Sequence, residues 1–319
     1  MAAYTREDLV AMQNWSLERK IQVTQTRIME WYDHYKGQVY VSFSGGKDST
    51  VLLDLARRVY PDIPAVFVDT GLEFPELREF VKTIDNVTWL KPKMRFDEVI
   101  KKYGYPVVSK EQAKFIYEYR HTKSEKLRNT RLNGNQYGMG KIAKKWQYLI
   151  DTDIKIGAQC CDVLKKNPCK AYEKETGRKP IVGTMTDESK QRESNWLLYG
   201  CNAFEKARPT SQPLSFWTEQ DILRYLKITG IPYCNVYGDI VESSQQTADS
   251  RQQTVPLVCT GEERTGCVFC CFGIQYQKEP NKFQLLKESR PKMYEYCMKP
   301  LDEGGLGMDK VLNILNVPH

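Results

Sequence analysis

The chain has 319 residues, 41% of them hydrophobic and 27% charged, with a formal charge of +7. That composition belongs to a folded globular protein and excludes disorder as the default state. No apolar run approaches the roughly 20 residues that span a bilayer, and the opening MAAYTREDLV lacks the apolar core of a secretory signal, so a cytoplasmic protein away from membranes is expected. Thiols stay reduced in that compartment. The ten cysteines are therefore read as metal ligands, catalytic thiols or small buried residues rather than disulfides.

In chain order, Leu9, Met12, Leu17, Ile21, Ile28 and Trp31 recur at helical spacing and predict one helix from about Thr5 to Tyr35, opened by a Thr5/Asp8 capping pair. Residues 1–36 form a helical lead-in. The β-branched and aromatic run Gln38 to Phe43 predicts a strand, followed by a Ser/Gly turn and a helix from Ser49 to Tyr60. Pro64 to Val68 predicts a second strand, Pro75 to Ile84 a second helix and Val87 to Leu90 a third strand. Strands alternating with helices imply an α/β fold with a parallel sheet and right-handed crossovers. Further on, Pro180 to Gly183 reads as a strand, and Thr218 to Lys227 as a helix ended by Gly230. Residues 37–257 thus read as one α/β nucleotide-binding domain, with a polar, glutamine-rich surface loop from Glu242 to Val255. Residues 258–319 read as a C-terminal region of cysteines and helices around Phe283 to Tyr296.

Within the middle block, residues 110–146 carry ten basic side chains against three acidic ones: Lys110, Lys114, Arg120, Lys123, Lys126, Arg128, Arg131, Lys141, Lys144 and Lys145 face Glu111, Glu118 and Glu125. Tyr117, Tyr119, Tyr137 and Trp146 interleave with them. Such a basic insertion suits a phosphate backbone with bases stacked on rings, and equally a solvated helical hairpin.

Chemistry concentrates first in Ser42 to Thr50, SFSGGKDST, between a strand and a helix. Gly45 and Gly46 let successive amides turn toward an anion, the next helix points its positive end there, and Lys47 adds a full charge. Ser42, Ser44, Ser49 and Thr50 supply hydroxyls, and Asp48 a carboxylate. This is not a Walker A loop, because Lys47 precedes Asp48 instead of Ser or Thr. The string resembles the SGGKDS signature of PP-loop proteins of the adenine nucleotide alpha-hydrolase-like superfamily. That resemblance implies a Rossmann-like sheet and an adenine nucleotide, commonly cleaved between its α and β phosphates. Val68 to Pro75, VDTGLEFP, follows at the carboxyl end of the next strand, where open α/β sheets bind ligands. By the same resemblance Asp69, Thr70 and Gly71 are nucleotide contacts.

The cysteines form a second constellation. Cys160 and Cys161 are adjacent, and Cys267 and Cys270 make a CxxC. Two thiolate pairs suit either zinc or an iron-sulfur cluster, and spacing alone leaves both open, with Cys169 and Cys271 close enough to substitute. The vicinal pair with a distant CxxC resembles the pattern of the phosphoadenosine-phosphosulfate and adenylylsulfate reductase family, which implies a 4Fe-4S cluster. Further strings are similar to that family's. Lys165 matches its CCxxRK lysine, with Leu164 in place of the arginine. Gly183, Ser189 and Arg192 match GxRxxQSxxR, with Met185 and Glu188 departing, and Gln212 to Asp221 resembles PL-xx-WTExD. Lys165 and Arg192 are thereby implied as anion contacts.

The family's reductases attack a sulfate ester with a cysteine near the C-terminus, in Glu-Cys-Gly-Leu-His. This chain closes Leu312 to His319 without one, and Cys297 sits in a predicted helix. The implied function is therefore ATP chemistry. Mg2+-bound ATP is opened at the α-phosphate by an acceptor oxygen, pyrophosphate leaves, and sulfur displaces the activated group, as in iron-sulfur PP-loop enzymes that thiolate tRNA or install phosphorothioates in DNA. Lys47 and Asp48 are the catalytic candidates, and a nucleic acid and a sulfur-donor protein the implied partners. Two other readings stand beside it: a sulfonucleotide reductase that takes APS or PAPS and releases sulfite, and a non-catalytic nucleotide-sensing or nucleic-acid-binding subunit.

Overall fold

The computed structural model describes residues 4–243 and 255–319. Most of the predicted loop from Glu242 to Val255 therefore lies outside the described residues. In chain order the elements are α1 (Arg6–Gln13), α2 (Leu17–His34), β1 (Val39–Ser42), α3 (Lys47–Val59), β2 (Ala65–Val68), α4 (Pro75–Lys82) and β3 (Val87–Leu90). Next come α5 (Phe96–Tyr103), β4 (Val107–Val108), α6 (Lys110–His121), α7 (Glu125–Asn133), α8 (Asn167–Thr176), β5 (Lys179–Val182), α9 (Lys190–Tyr199), β6 (Asn202–Ala203) and β7 (Thr210–Ser211). The remainder holds α10 (Glu219–Thr229), β8 (Ile240–Glu242), β9 (Leu257–Cys259), β10 (Cys271–Phe272), α11 (Lys282–Ser289), α12 (Pro291–Met298) and α13 (Met308–Ile314). They divide into two compact units, one of residues 1–69, 73–91 and 169–266, the other of residues 70–72, 92–168 and 267–319. Each unit collects segments far apart in sequence, which a reading in three consecutive blocks does not produce.

The first unit is built on a six-stranded sheet of order β3-β2-β1-β5-β7-β6, parallel except for β6 against β7. The predicted α/β class and parallel sheet hold. Central β1 pairs in register with β5 from Val39↔Lys179 to Ser42↔Val182, and its Val39, Tyr40 and Val41 are all buried, as expected of a strand covered on both faces. Edge strand β3 is only half buried.

The single helix predicted from Thr5 to Tyr35 is two. The Thr5/Asp8 box forms as expected, with the Asp8 carboxylate accepting from Thr5 N at 2.8 Å. However, α1 stops at Asn14, and Ser16 opens α2 by accepting from Arg19 N at 3.3 Å. The serine hydroxyl satisfies an amide that a continuous helix would have bonded internally. Trp31, Trp196 and Trp217 fill the core, each at most 1% exposed. Inside it, Lys20 Nζ donates to Asp221 at 2.6 Å and to the Gln13 carbonyl at 2.7 Å. The same carboxylate accepts from Thr218 N at 2.7 Å and so caps α10. Breaking such a buried pair on one side costs about 3–5 kcal/mol, because the survivor is left charged and dry.

In the second unit β10 pairs parallel with β4, Cys271↔Val107 and Phe272↔Val108. The basic insertion forms the hairpin α6–α7 and a 3-10 turn at Lys144–Asp151. Two of its ten cations are drawn in from the surface by structural bonds. Arg120 donates to the carbonyls of Leu149, Ile150, Thr152 and Ile154, and Arg131 pairs with Glu118 at 2.7 Å. The other eight are exposed. The helical material predicted around Phe283 to Tyr296 is split into α11 and α12, with Pro291 at the first position of α12, where its missing amide costs nothing.

Candidate functional site

The glycine turn joins the carboxyl end of β1 to the amino end of α3, where helix-terminal amides favour anions. Gly45 has φ +74°, and a Cβ there would stand 2.9 Å from Val81 Cγ2, so the position requires glycine. The hydroxyls of this loop largely serve the loop. Ser49 Oγ accepts from Ser44 N at 3.1 Å and donates to the Gly46 carbonyl at 2.9 Å, while Thr50 Oγ1 donates to that same carbonyl at 3.1 Å. They fix its curvature. Ser42 ends β1, and Ser44 Oγ accepts from Gly46 N at 3.3 Å.

Lys47 is 4% exposed, and its ammonium reaches the Glu263 carbonyl at 2.6 Å and the Glu219 carboxylate at 3.1 Å. Its backbone N donates to Tyr237 Oη at 3.2 Å, and Tyr237 Oη shares a 2.5 Å hydrogen bond with Thr265 Oγ1. Burial pushes the Tyr237 phenol up to about 12. Asp48 is the loop's strained group. Burial raises its carboxyl above the ordinary range, against the pull of Lys47, Arg264 and Arg192, and Oδ1 has no hydrogen-bond partner. A buried carboxylate so placed must be given a proton or a cation. Arg192 pairs with Glu188, and burial together with Arg264 pushes its guanidinium down. Two guanidiniums repelling each other beside the phosphate loop make an electropositive rim suited to an anion.

The remaining predicted contacts are placed as follows. Asp69 directly follows β2, is buried, and pairs with Arg78 at 2.9 Å. Thr70 and Gly71 belong to the second unit, where Thr70 Oγ1 accepts from Leu72 N at 3.2 Å. Lys165 also lies in the second unit, on the wall of the cysteine cavity.

Cys160, Cys161, Cys267 and Cys270 line one cavity of the second unit, with Leu72, Phe96, Pro106, Leu164 and Lys165. The space inside it is small: about 20 Å³ admits the centre of a water-sized sphere. The vicinal sulfurs are 4.0 Å apart. Cys161 is held below the ordinary thiol range by the Cys160 hydrogen bond and then by Lys110 and Lys165, while Cys160 is driven up by the same bond and by burial. Immediately after the pair, Asp162–Lys166 forms a π-turn, a feature that widens a helix and recurs at functional sites. Among the described residues no three or more His, Cys, Asp or Glu side chains converge closely enough to hold a single metal ion. Zinc requires four sulfurs about 2.3 Å from one point. Thiols are the donor type that both zinc and an iron-sulfur cluster take. Leu164, which stands where the resemblance has arginine, is 2% exposed and forms apolar wall, and Met185 packs in the core of the first unit.

Neither alternative ligand, Cys169 or Cys271, lines that cavity. Cys169 belongs to the first unit, near Tyr40 and Arg208, and Cys271 is fully buried with its sulfur 3.6 Å from Met308 Sδ. Cys297 is also fully buried, and burial raises its thiol. It lacks the exposure and acidity of a nucleophile. Sequence reasoning missed Tyr237, Glu263, Arg264 and Thr265 around Lys47, and Lys110 beside Cys161. Only Glu219 carried a signal, being part of the QPLSFWTEQD string.

The chain is similar to several known proteins. An uncharacterized protein of Methanocaldococcus jannaschii is 25% identical over 313 residues, 96% of this chain and 58% of its own length. The chain thus spans little more than half of that relative. The adenosine 5'-phosphosulfate reductase of Anoxybacillus flavithermus is 25% identical over 234 residues, 70% of this chain and 81% of its own. Among solved structures, phosphoadenylyl-sulfate (PAPS) reductase from Candida auris in a phosphate complex is 15% identical, with a TM-score of 0.39, over 77% of this chain and 98% of that one. Among the described residues no helix is long and apolar enough to cross a membrane. The phosphoadenosine phosphosulfate reductase domain matches residues 38–270, from β1 through the CxxC, and the chain belongs to that family.

Proposed function

We propose that the chain is a PP-loop enzyme that uses Mg2+-bound ATP to activate an acceptor for sulfur transfer, with a 4Fe-4S cluster held by Cys160, Cys161, Cys267 and Cys270. The observation that carries this over reduction of a sulfonucleotide is the burial of Cys297, joined to an intact phosphate loop. In this reading the loop amides and Lys47 hold the phosphates, and an acceptor oxygen attacks the α-phosphorus. Pyrophosphate leaves with the electrons of the broken P–O bond, and Lys47 with Arg192 offsets the charge that develops on it. Asp48 orients the Mg2+, which relieves its desolvated carboxylate. By the family resemblance Asp69, Thr70 and Gly71 are the candidates for the rest of the nucleotide. A sulfur nucleophile then displaces AMP from the acceptor. Bound in the cavity with all four irons ligated by cysteine, the cluster would supply a structural or electron-carrying role. Lys110 and Lys165 favour the thiolate form of its ligands.

The exposed cations of residues 110–146, with Tyr137 at 73% exposure, support a nucleic-acid acceptor. The sulfur would come from a donor protein. A cytoplasmic setting keeps the thiols reduced. The second reading, release of sulfite from APS or PAPS with a thiol donor, draws on the names of the relatives. One assay pair decides. Reconstituted protein is given ATP with tRNA or single-stranded DNA and a sulfide source, and pyrophosphate is measured. In parallel it is given APS or PAPS with a dithiol, and sulfite is measured. Acceptor-dependent pyrophosphate without sulfite upholds the proposal. Sulfite production that survives Cys297→Ser replaces it with a reductase using another thiol, and neither product points to the non-catalytic subunit.

A further inference from the structure

The groups of Lys47 best suited to a phosphate are its amide and its ammonium, and both are taken by the chain itself. Tyr237 Oη accepts from the amide at 3.2 Å, and the Glu263 carbonyl accepts from the ammonium at 2.6 Å. Thr265 Oγ1 secures Tyr237 from the other side at 2.5 Å. A Cβ built on Gly46 would lie 3.1 Å from Tyr237 Oη and 3.4 Å from Thr265 Oγ1, so the two hydroxyls lie against the turn where an anion would approach. Between the two contacts, Arg264 is close enough to bias the charge of both Asp48 and Arg192. Consecutive residues Glu263, Arg264 and Thr265 thus each engage the phosphate loop or its rim, and all of them lie in the first unit. Such contacts do not add affinity for a nucleotide. They compete with it.

We propose that Glu263–Thr265 with Tyr237 forms a strap seated on the phosphate loop, which a nucleotide must lift. Lifting exchanges the Tyr237 hydroxyl for a phosphate oxygen at Lys47 N, and frees Arg264 to pair with that phosphate beside Arg192. This rests on the reading of the loop as a nucleotide site. Apparent affinity is then the intrinsic affinity scaled by the fraction of molecules with the strap open. Loosening the strap without touching Lys47 should tighten binding, by about two- to tenfold for one hydrogen bond lost.

The test is titration calorimetry of the full chain with ATP and with pyrophosphate, for wild type, Tyr237→Phe, Thr265→Val and Lys47→Ala, each checked by thermal unfolding. Hydrogen exchange of residues 259–266 is followed with and without ATP. Tighter binding in both hydroxyl variants, with faster exchange of the strap when ATP is bound, is the expected result. Weaker binding in both, or an exchange rate that falls with ATP, overturns the strap while leaving the nucleotide site intact, since the hydroxyls would then be ligand contacts. Wild type that binds neither ATP nor pyrophosphate, like Lys47→Ala, overturns the site reading and the strap with it. If Tyr237→Phe unfolds, Thr265→Val and the exchange data still decide.

Discussion

The phosphate loop and the cysteine cavity are built on opposite plans. Nine consecutive residues, Ser42 to Thr50, make the loop, and its curvature is set by its own serine, threonine and glycine backbone. The cavity takes its four thiols from positions 160–161 and 267–270, more than a hundred residues apart, and has walls supplied by Leu72, Phe96, Pro106 and Leu164. A loop of the first kind tolerates change elsewhere in the chain. A cavity of the second kind depends on the whole fold of its unit, with β10 drawn alongside β4 by pairing of Cys271 with Val107. The lesson is one of locality: contiguous chemistry is robust, and assembled chemistry is sensitive.

Four perturbations would break or sharpen that contrast. The largest effect is expected from Cys267→Ser and Cys270→Ser. Each should remove the about four iron and four sulfide per chain that anaerobic reconstitution gives the wild type, while ATP binding by calorimetry is retained; zinc in place of iron in wild type would undo the cluster. Next, Lys47→Ala should slow pyrophosphate release by about 10²- to 10³-fold, the loss seen when one preorganised donor to developing charge is deleted, and leave iron content unchanged. An unaltered rate would take Lys47 out of the chemistry.

A smaller effect concerns pH and stability. The Asp48 carboxyl is raised by burial in the folded chain, so folding favours its protonated form. Stability from this group is present below the unfolded carboxyl range and is lost as pH rises toward the folded one. Asp48→Asn should therefore melt higher than wild type at pH 7 by a margin that shrinks as pH falls toward about 4, the unfolded aspartate range, and is gone below it, and should lose turnover. A margin independent of pH would mean that Asp48 is not desolvated. The smallest effect is a difference between neighbours. In metal-free protein at pH 6–7 Cys161 should be alkylated by iodoacetamide ahead of Cys160, read by peptide mass spectrometry, and Lys110→Gln should narrow the gap.

What the sequence made legible follows the same division. The strand-turn-helix around Gly45, the Thr5/Asp8 box, and strand Val87–Leu90 were all readable, because each is decided within a few residues. The break at Ser16 was also local, yet the helical spacing of Leu9 to Trp31 continues across it and hides it. Tyr237 and Thr265 were invisible. Nothing in VYGD or ERTG announces a phenol and a hydroxyl meeting over an amide 190 residues away. The four cysteines could be grouped by chemistry, but Lys110 entered only as one of ten charges, and its place beside Cys161 depends on the turn from β4 into α6.

Arg120 changes how the basic hairpin should be counted. Its guanidinium is spent gathering the carbonyl dipoles of residues 149–154, and Arg131 is tied to Glu118, so formal charge overstates the field that the segment presents to a polyanion. A salt titration of nucleic-acid binding reports released counterions and so counts phosphate contacts, not residues. For this segment its slope is capped by the eight exposed cations, and exchanging Arg120 for lysine would slacken the loop it gathers without altering the net charge at all.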